Sequence, residues 1–256
     1  MGFLGRLFSG SKPSDAAIGA AVLLSERTPV DLDEVARRLA SRGREVGWEN
    51  GLLTLGDVQV TILQGLPAMP APLLDELASS AWWWEDAKEA CRGHAQVVAV
   101  QVAEGRGDRV TRRRAVSDVA ALVARVAPAV AVVWNDAAGL YEAPVFCEHV
   151  EAAAADEAPT AFWISLRIAE VGRRRVFVST GLSAFAHREI EIDVPPRNAE
   201  DFARVLHDLF RIIVLRGGRM TVGQTLQLSE QLGLRVVEVG ASSLPGRPDV
   251  IQLAVV

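Results

Sequence analysis

Hydrophobic and polar positions along the chain switch repeatedly between a two-residue and a 3.6-residue period, which predicts a mixture of strands and helices. Within the apolar run Ala16 to Leu24, Ala20 to Leu24 reads as a buried strand. Asp31 to Arg42 has helical spacing, with Pro29 ahead of it, acidic residues in its first turn and Gly43 past its end. Val46 to Trp48 and Leu52 to Leu55 flank Glu49, Asn50 and Gly51, and the Asn50-Gly51 pair predicts a hairpin. Val58, Val60, Ile62 and Leu63 continue as a strand with one wet face. Pro67, Pro70 and Pro72 then break the chain before helices over roughly Leu73 to Cys91, and Gly93 releases it into a strand from Ala95 to Val102. This first half reads β-α-β-β-α-β.

The second half repeats much of that order. A helix from about Thr111 to Val126 ends at Ala127 and Pro128, and the strand Ala129 to Trp134 follows. Next come a helix near Pro144 to Ala155, strands Thr160 to Ile168 and Arg175 to Ser179 joined across Gly172, and a short strand Glu189 to Ile192. In a long helix from Ala199 to Leu215, Phe202, Val205, Leu206, Leu209, Phe210 and Ile213 form one stripe. Met220 to Val222, Leu226 to Leu228, Arg235 to Val239 and Val250 to Val256 alternate like small strands between glycines and Pro245. The expected fold class is therefore α+β: two tandem ferredoxin-like lobes, with largely antiparallel sheets and helices on one face. The expected divisions are a tail (1–15), a first lobe (16–103), a bridging helix (104–127) and a second lobe (128–256).

Composition narrows the picture without naming a chemistry. At 256 residues, half hydrophobic and 23% charged, the chain suffices for one large or two modest domains at the usual ~150 residues per domain. Cys91 and Cys147 are its two cysteines, so no disulfide framework exists and a reducing cytoplasm is the expected compartment. The formal charge of −5 gives no general attraction to nucleic acid or to an anionic membrane. Lys12 and Lys88 are the two lysines, and with abundant Ala, Val and Arg they read as the codon bias of a GC-rich bacterial genome. Arg6 and Lys12 precede the apolar run much as in a signal peptide, but Asp15 abuts it, no small-x-small site follows, and Ser25, Glu26 and Arg27 end it too early to span a bilayer. Ahead of it, Phe3, Leu4, Leu7 and Phe8 share one side of a short helix, suited to weak peripheral membrane contact or to a partner's groove; a frayed terminus is the plainer alternative.

Trp82, Trp83 and Trp84 stand in an unbroken row. On consecutive helical positions their side chains point about 100° apart, so at least one must meet another domain, a ligand or water. Cys91 with His94 and Cys147 with His149 offer a Cys2His2 set for zinc, but the spacing is poor, and buried cysteines with His94 at a helix end are the simpler reading. Ser179 or Ser183 with His187 and Asp193 composes a hydrolytic triad of the sort any chain offers by chance, without a Gly-x-Ser-x-Gly elbow. Alternation puts Glu189, Glu191 and Asp193 on one strand face, expected to be solvated, with Ile190 and Ile192 filling the core behind. Gly105-Arg106-Gly107 lacks the rest of a phosphate loop. Arg112, Arg113 and Arg114, with Arg106 and Arg109 before them, form the densest basic cluster and Arg173 to Arg175 a second; solvated helix-start and hairpin-tip positions are the simpler reading of both.

Several pieces occur in an ordered series: the first apolar strand, Trp84-Glu85-Asp86-Ala87 followed by His94 and its strand, Val133-Trp134 with Pro144 to Phe146 downstream, Gly181-Leu182 leading to Glu189-Ile190-Glu191-Ile192, and the loops Gly223-Gln224-Thr225 and Ser243-Leu244-Pro245-Gly246. On these the chain, from Ala20 onward, resembles the bacterial domain-of-unknown-function family numbered 4261. The resemblance implies a bacterial intracellular protein and brings no catalytic residue with it. Arg173, Arg174 and Arg175, where that family has a short polar turn, and the doubled tryptophan before Trp84 depart from its pattern.

The expected function is a non-catalytic adaptor or an inhibitor of the immunity type, in a setting such as a secretion system, which meets a protein partner through Trp82, Trp83, Trp84, Arg112, Arg113 and Arg114. No cofactor, metal, nucleic acid or membrane span is expected. A metal-dependent or hydrolytic enzyme is the alternative, and a module that oligomerises through a sheet edge is a third.

Overall fold

The first apolar run becomes a strand, and its burial on both faces dictates what surrounds it. A computed structural model describes residues 18–43, 45–49, 52–105, 107–153, 158–194, 199–217, 220–229, 232–244 and 248–256. The Phe3 to Phe8 segment, the Asn50-Gly51 pair and Arg106 lie outside the described residues. Gly19–Leu24 (β1) is buried from end to end, and a strand without a wet face needs cover on both sides. The chain forms two compact units, residues 1–162 and 163–256.

In the first unit β1 is followed by α1 (Leu32–Ser41), started by the Asp31 carboxylate accepting from the Glu34 N–H at 2.9 Å. Then come β2 (Val46–Glu49), β3 (Leu52–Leu55), β4 (Val58–Pro67), α2 (Ala71–Ser80), α3 (Ala87–Arg92), β5 (Gln96–Gly105) and α4 (Arg109–Val126). β6 (Ala129–Trp134), β7 (Gly139–Glu142), α5 (Ala143–Ala152) and the single turn α6 (Thr160–Trp163) complete the series. Among the described residues the strands form one seven-stranded sheet, ordered β2-β3-β4-β5-β1-β6-β7, and every pairing is antiparallel. Ala21, Leu23, Val97, Ala99, Ala131 and Val133 face Leu74, Leu77, Ala87 and Cys91 of α2 and α3. The alternate residues Ala20, Val22, Val98, Val100, Val132 and Trp134 are buried on the opposite face, against which α4 packs.

Helices thus cover both faces of this sheet, not one. α4 is the reason: Ala115 through Ala124 are buried without interruption, because the sheet, α1 and α5 enclose it. A helix buried on every side belongs inside a unit, and its polar members Arg113, Ser117 and Asp118 are buried with the rest. The expected bridge at 104–127 is accordingly the central helix of the first unit, and the division falls between residues 162 and 163.

The second unit contains β8 (Ser165–Val171), β9 (Arg174–Thr180), the short turn α7 (Ser183–Ala186), β10 (Glu189–Asp193), α8 (Ala199–Arg216), β11 (Thr225–Ser229), β12 (Leu232–Gly240) and β13 (Val250–Val255). Among the described residues its sheet has six strands, ordered β11-β12-β13-β10-β9-β8, with β10 and β13 parallel and the other pairs antiparallel. Phe202, Leu206, Leu209, Phe210 and Ile213 are the buried stripe of α8, and Phe202 stacks on Phe177 of β9 with centroids 6.3 Å apart.

The α+β class and the predominance of antiparallel pairing hold. In place of two four-stranded β-α-β-β-α-β lobes, the sheets have seven and six strands among the described residues. Local differences follow from short elements: Thr160–Trp163 is helical before β8 begins at Ser165, Met220 to Val222 is not a strand, and β7 and α7 carry too few residues to show a period.

His207, in the middle of α8 and edge-on to Phe210 at 5.6 Å, has been withdrawn from water, and burial pushes its pKa down to about 4. An unfolded histidine titrates near 6.5, so between those values the unfolded chain binds the extra proton and stability falls as the pH drops from about 6.5 towards 4. The loss should reach about 3 kcal/mol. Urea unfolding from pH 7 to pH 4.5 should show that slope in the native chain and a flatter one in His207→Phe; parallel slopes would refute it.

Candidate functional site

The tryptophan row does not lie on a helix. Residues 82–86 form the turn between α2 and α3, and its backbone carries each ring to a different place. Trp84 packs against the core formed by α2, α3 and the sheet. Trp82 is half-buried and meets Trp83 edge-on, with centroids 5.8 Å apart at 79°. Trp83 is the ring left most open, 38% exposed, and one of its faces stacks on Tyr141 of β7 at 5.4 Å and 17°. Beneath it, Tyr141 meets Phe162 edge-on at 4.8 Å, Phe162 packs on Phe146 at 4.7 Å, and His149 stands edge-on to Phe162 at 5.6 Å. The Tyr141 hydroxyl donates to the carbonyls of Ala161 and Phe162, at 3.1 and 3.4 Å. This is an aromatic stack with a fixed base and an open top.

Gly139 is part of that base. A Cβ at this position would lie 2.6 and 2.7 Å from Cε2 and Cζ of Tyr141, closer than carbon atoms can pack. Gly139→Ala should displace the Tyr141 ring, cost about 2 kcal/mol and break the Trp83 stack. Because the chain has six tryptophans, the Trp83 contribution to the emission is taken as the difference from a Trp83→Phe background; that difference, unaltered by Gly139→Ala, would show that the stack does not move.

Beside the stack the basic run is consumed internally. Arg113, only 3% exposed, places Nε 3.1 Å from Oδ2 of Asp136 and pairs with the same oxygen through Nη2. Burial raises the Asp136 pKa, although the Arg113 guanidinium and the Trp134 indole pull it the other way. Burial also raises that of Tyr141, and the neighbouring charge of Asp136 adds to the rise. Arg114 spans from Asp118, at 2.8 Å, to the carbonyls of Val150 and Ala153 at the end of α5, at 3.2 and 3.1 Å. Arg112 donates to the Gly107 carbonyl at 2.7 Å. The simpler reading of this run as solvated helix-start positions is thereby corrected, and Arg113 has no surface to offer a partner. Arg173, Arg174 and Arg175 are exposed at the tip of the β8–β9 hairpin, with Arg174 3.3 Å from Asp193.

The two thiols and His94 serve the core, and His149 is exposed. Cys91 and Cys147 are buried, and desolvation pushes each thiol up to about 11, so both stay protonated at neutral pH. Cys147 Sγ donates to the Ala121 carbonyl at 3.3 Å. His94 Nδ1 lies 2.7 Å from the Cys91 carbonyl while Nε2 accepts from the Met69 N–H at 2.8 Å, so the ring joins the end of α3 to the loop before α2. His149 Nδ1 lies 2.9 Å from the Val145 carbonyl. Among the described residues no three His, Cys, Asp or Glu side chains group as ligands for a metal ion. The serine triad is likewise not assembled: Ser179 Oγ donates to Glu189 at 2.6 Å, His187 is exposed, and Asp193 pairs with Arg174.

The acidic strand is a correction. Glu189 and Glu191, at 8% and 4% exposure, are buried, and β10 is inside the sheet with Asp193 alone of the three exposed. The Glu189 carboxylate accepts from Ser179 Oγ and from the N–H groups of Gly181, Leu182 and Ser183, all within 3.1 Å. Glu191 accepts from the hydroxyls of Ser242 and Ser243 and from the Ser243 N–H at 3.0 Å. Each carboxylate fastens one loop to the strand.

A hollow of about 390 Å³ opens between α1, α4 and α5, lined by Arg42, Arg114, Asp118 and Glu151. Its charges are spent on each other: Arg42 and Arg125 hold Glu151 at 3.0 and 3.1 Å and keep its carboxyl below the ordinary range, against the opposing effect of burial. Tyr141, Phe162 and Asp136 are the site residues that sequence reasoning missed. The one signal available for Tyr141 was its standing as the single tyrosine in the chain. No helix among the described residues is long and apolar enough to cross a membrane. In comparisons with known proteins, no family model, no curated protein and no solved structure matches this chain.

Proposed function

We propose that the chain is a non-catalytic protein-interaction module, an adaptor or inhibitor, and that the top of the Trp83–Tyr141 stack is its contact surface. The observation that carries this reading is Trp83 itself: a large ring, 38% exposed, held rigid by stacking at 5.4 Å on a buried, hydrogen-bonded tyrosine. Pre-ordered aromatic rings lose little conformational entropy on binding and dominate the centres of interfaces. Of the groups that would support the rival enzymatic reading, Glu189, Glu191 and His94 are buried and hydrogen-bonded within the chain. Cytoplasmic residence and membership of the bacterial family numbered 4261 belong to this proposal, supported by the two reduced, buried cysteines and by the resemblance in motif order.

Affinity capture from the native cell should recover at least one protein with the intact chain and lose it with Trp83→Ala, provided the variant unfolds at the native midpoint. Recovery of the same set by both baits, or of no protein by either, would remove the support for this surface.

A further inference from the structure

We infer that the Trp83 surface takes a cationic, arginine-bearing peptide segment, an inference that rests on the reading of Trp83 as a contact surface and names the chemistry of its partner. Tyr141 stacks on the ring and Trp82 meets it edge-on at 5.8 Å, and the part that stays exposed, 38%, is what a ligand can reach. The charge in the segments that carry the ring is predominantly negative. The two segments that build the stack, residues 71–92 and 139–153, contain eight carboxylates and two cations. Both cations are engaged: Lys88 pairs with Asp75 at 3.0 Å and Arg92 with Glu89 at 2.8 Å.

Three carboxylates neighbour the stacked rings in the sequence. Glu85 and Asp86 follow the tryptophan row and are exposed, and Glu142 follows Tyr141 and is exposed. Asp86 stands at the N-cap of α3 and Glu142 at the N-cap of α5, yet neither side chain accepts a capping hydrogen bond. Positions where a carboxylate ordinarily serves its own helix here leave the negative charge facing solvent. An exposed tryptophan with such carboxylates nearby in the chain complements a guanidinium: the cation meets the exposed part of the ring while its N–H groups reach carboxylate oxygens. A neutral proline-rich segment would use the ring and leave the carboxylates unused, and an anionic partner would be repelled by them.

The test titrates a fluorescein-labelled nine-residue peptide of alternating glycine and arginine into the full chain and follows anisotropy. Control peptides carry lysine, glutamine or proline in place of arginine. Saturable binding is expected, in the order arginine, lysine, then glutamine and proline, with affinity falling as salt is raised. Trp83→Ala should weaken it roughly tenfold, Trp83→Phe less, and Glu85→Gln with Asp86→Asn should reduce both affinity and salt dependence. An absence of saturable binding, equal affinity for the glutamine or proline peptide, or indifference to Trp83→Ala would overturn the inference. If Trp83-dependent capture from cells persists in any of those cases, the contact surface stands and its cationic chemistry fails; if capture also fails, both fall. A Trp83-dependent increase in the mass of the chain alone, without peptide binding, would assign the surface to a second copy and overturn the inference equally.

Discussion

Glu189→Leu should cost the second unit about 4 kcal/mol, because it strands a buried serine hydroxyl and three backbone N–H groups at one stroke. Leucine fills the same space, so lost packing contributes little. What is lost is the acceptor for Ser179, Gly181, Leu182 and Ser183, and with it the anchor of α7, whose Phe185 stacks on the buried Trp163 at 6.3 Å. Glu189→Gln should cost less, since one carbonyl oxygen remains while the new NH2 faces donors. Hydrogen exchange at the amides of Gly181, Leu182 and Ser183 reads the clasp directly. Protection there is expected in the native chain and lost in the leucine variant; if those amides stay protected and the unfolding midpoint does not move, the clasp contributes nothing.

Arg113→Ala should destabilise the first unit by about 4 kcal/mol, because it leaves the Asp136 carboxylate buried without its cation. The pair is costly to bury and more costly to break. Replacing both members with apolar residues, Arg113→Met with Asp136→Leu, should therefore recover most of the loss, and a double-mutant cycle is the measurement that shows it. Burial already lifts the Asp136 pKa in the folded state, and removal of the guanidinium lifts it further. A carboxyl with a raised folded pKa binds protons more readily folded than unfolded, so the stability it contributes is present in acid and is lost as the pH rises from about 3.8 through the raised value. Arg113→Ala should accordingly gain stability on acidification. Additive single-mutant costs with no pH dependence would count against a coupled pair.

The elements with enough residues to display a period were legible in the sequence: β1, α1, α4 and α8 fall within two residues of their expected bounds and β5 within three. Their arrangement was not. Nothing in the pattern of α4 distinguishes a helix that bridges lobes from one enclosed by a sheet and two helices, because arginines at its start followed by a largely apolar run are compatible with either. Glu189 and Glu191 misled for a related reason. Alternation identifies which residues share a face but not what covers it, and here the donors come from turns at 181–183 and 242–243. The site was half-visible. Three adjacent tryptophans implied that at least one ring must meet another domain, a ligand or water, whereas the stacking partner Tyr141 resides on a four-residue strand with no signature of its own.

The place of β13 in the middle of its sheet governs the order in which the second unit can be made. As the chain leaves the ribosome, β8, β9 and β10 emerge first, and until β13 arrives β10 is an unprotected margin with its backbone groups open to any passing strand. Its sequence then reads as a safeguard: Glu189, Glu191 and Asp193 put negative charges along that margin, the usual deterrent to adventitious strand pairing. The same carboxylates that later secure two loops would thus keep a nascent chain from aggregating with its neighbours.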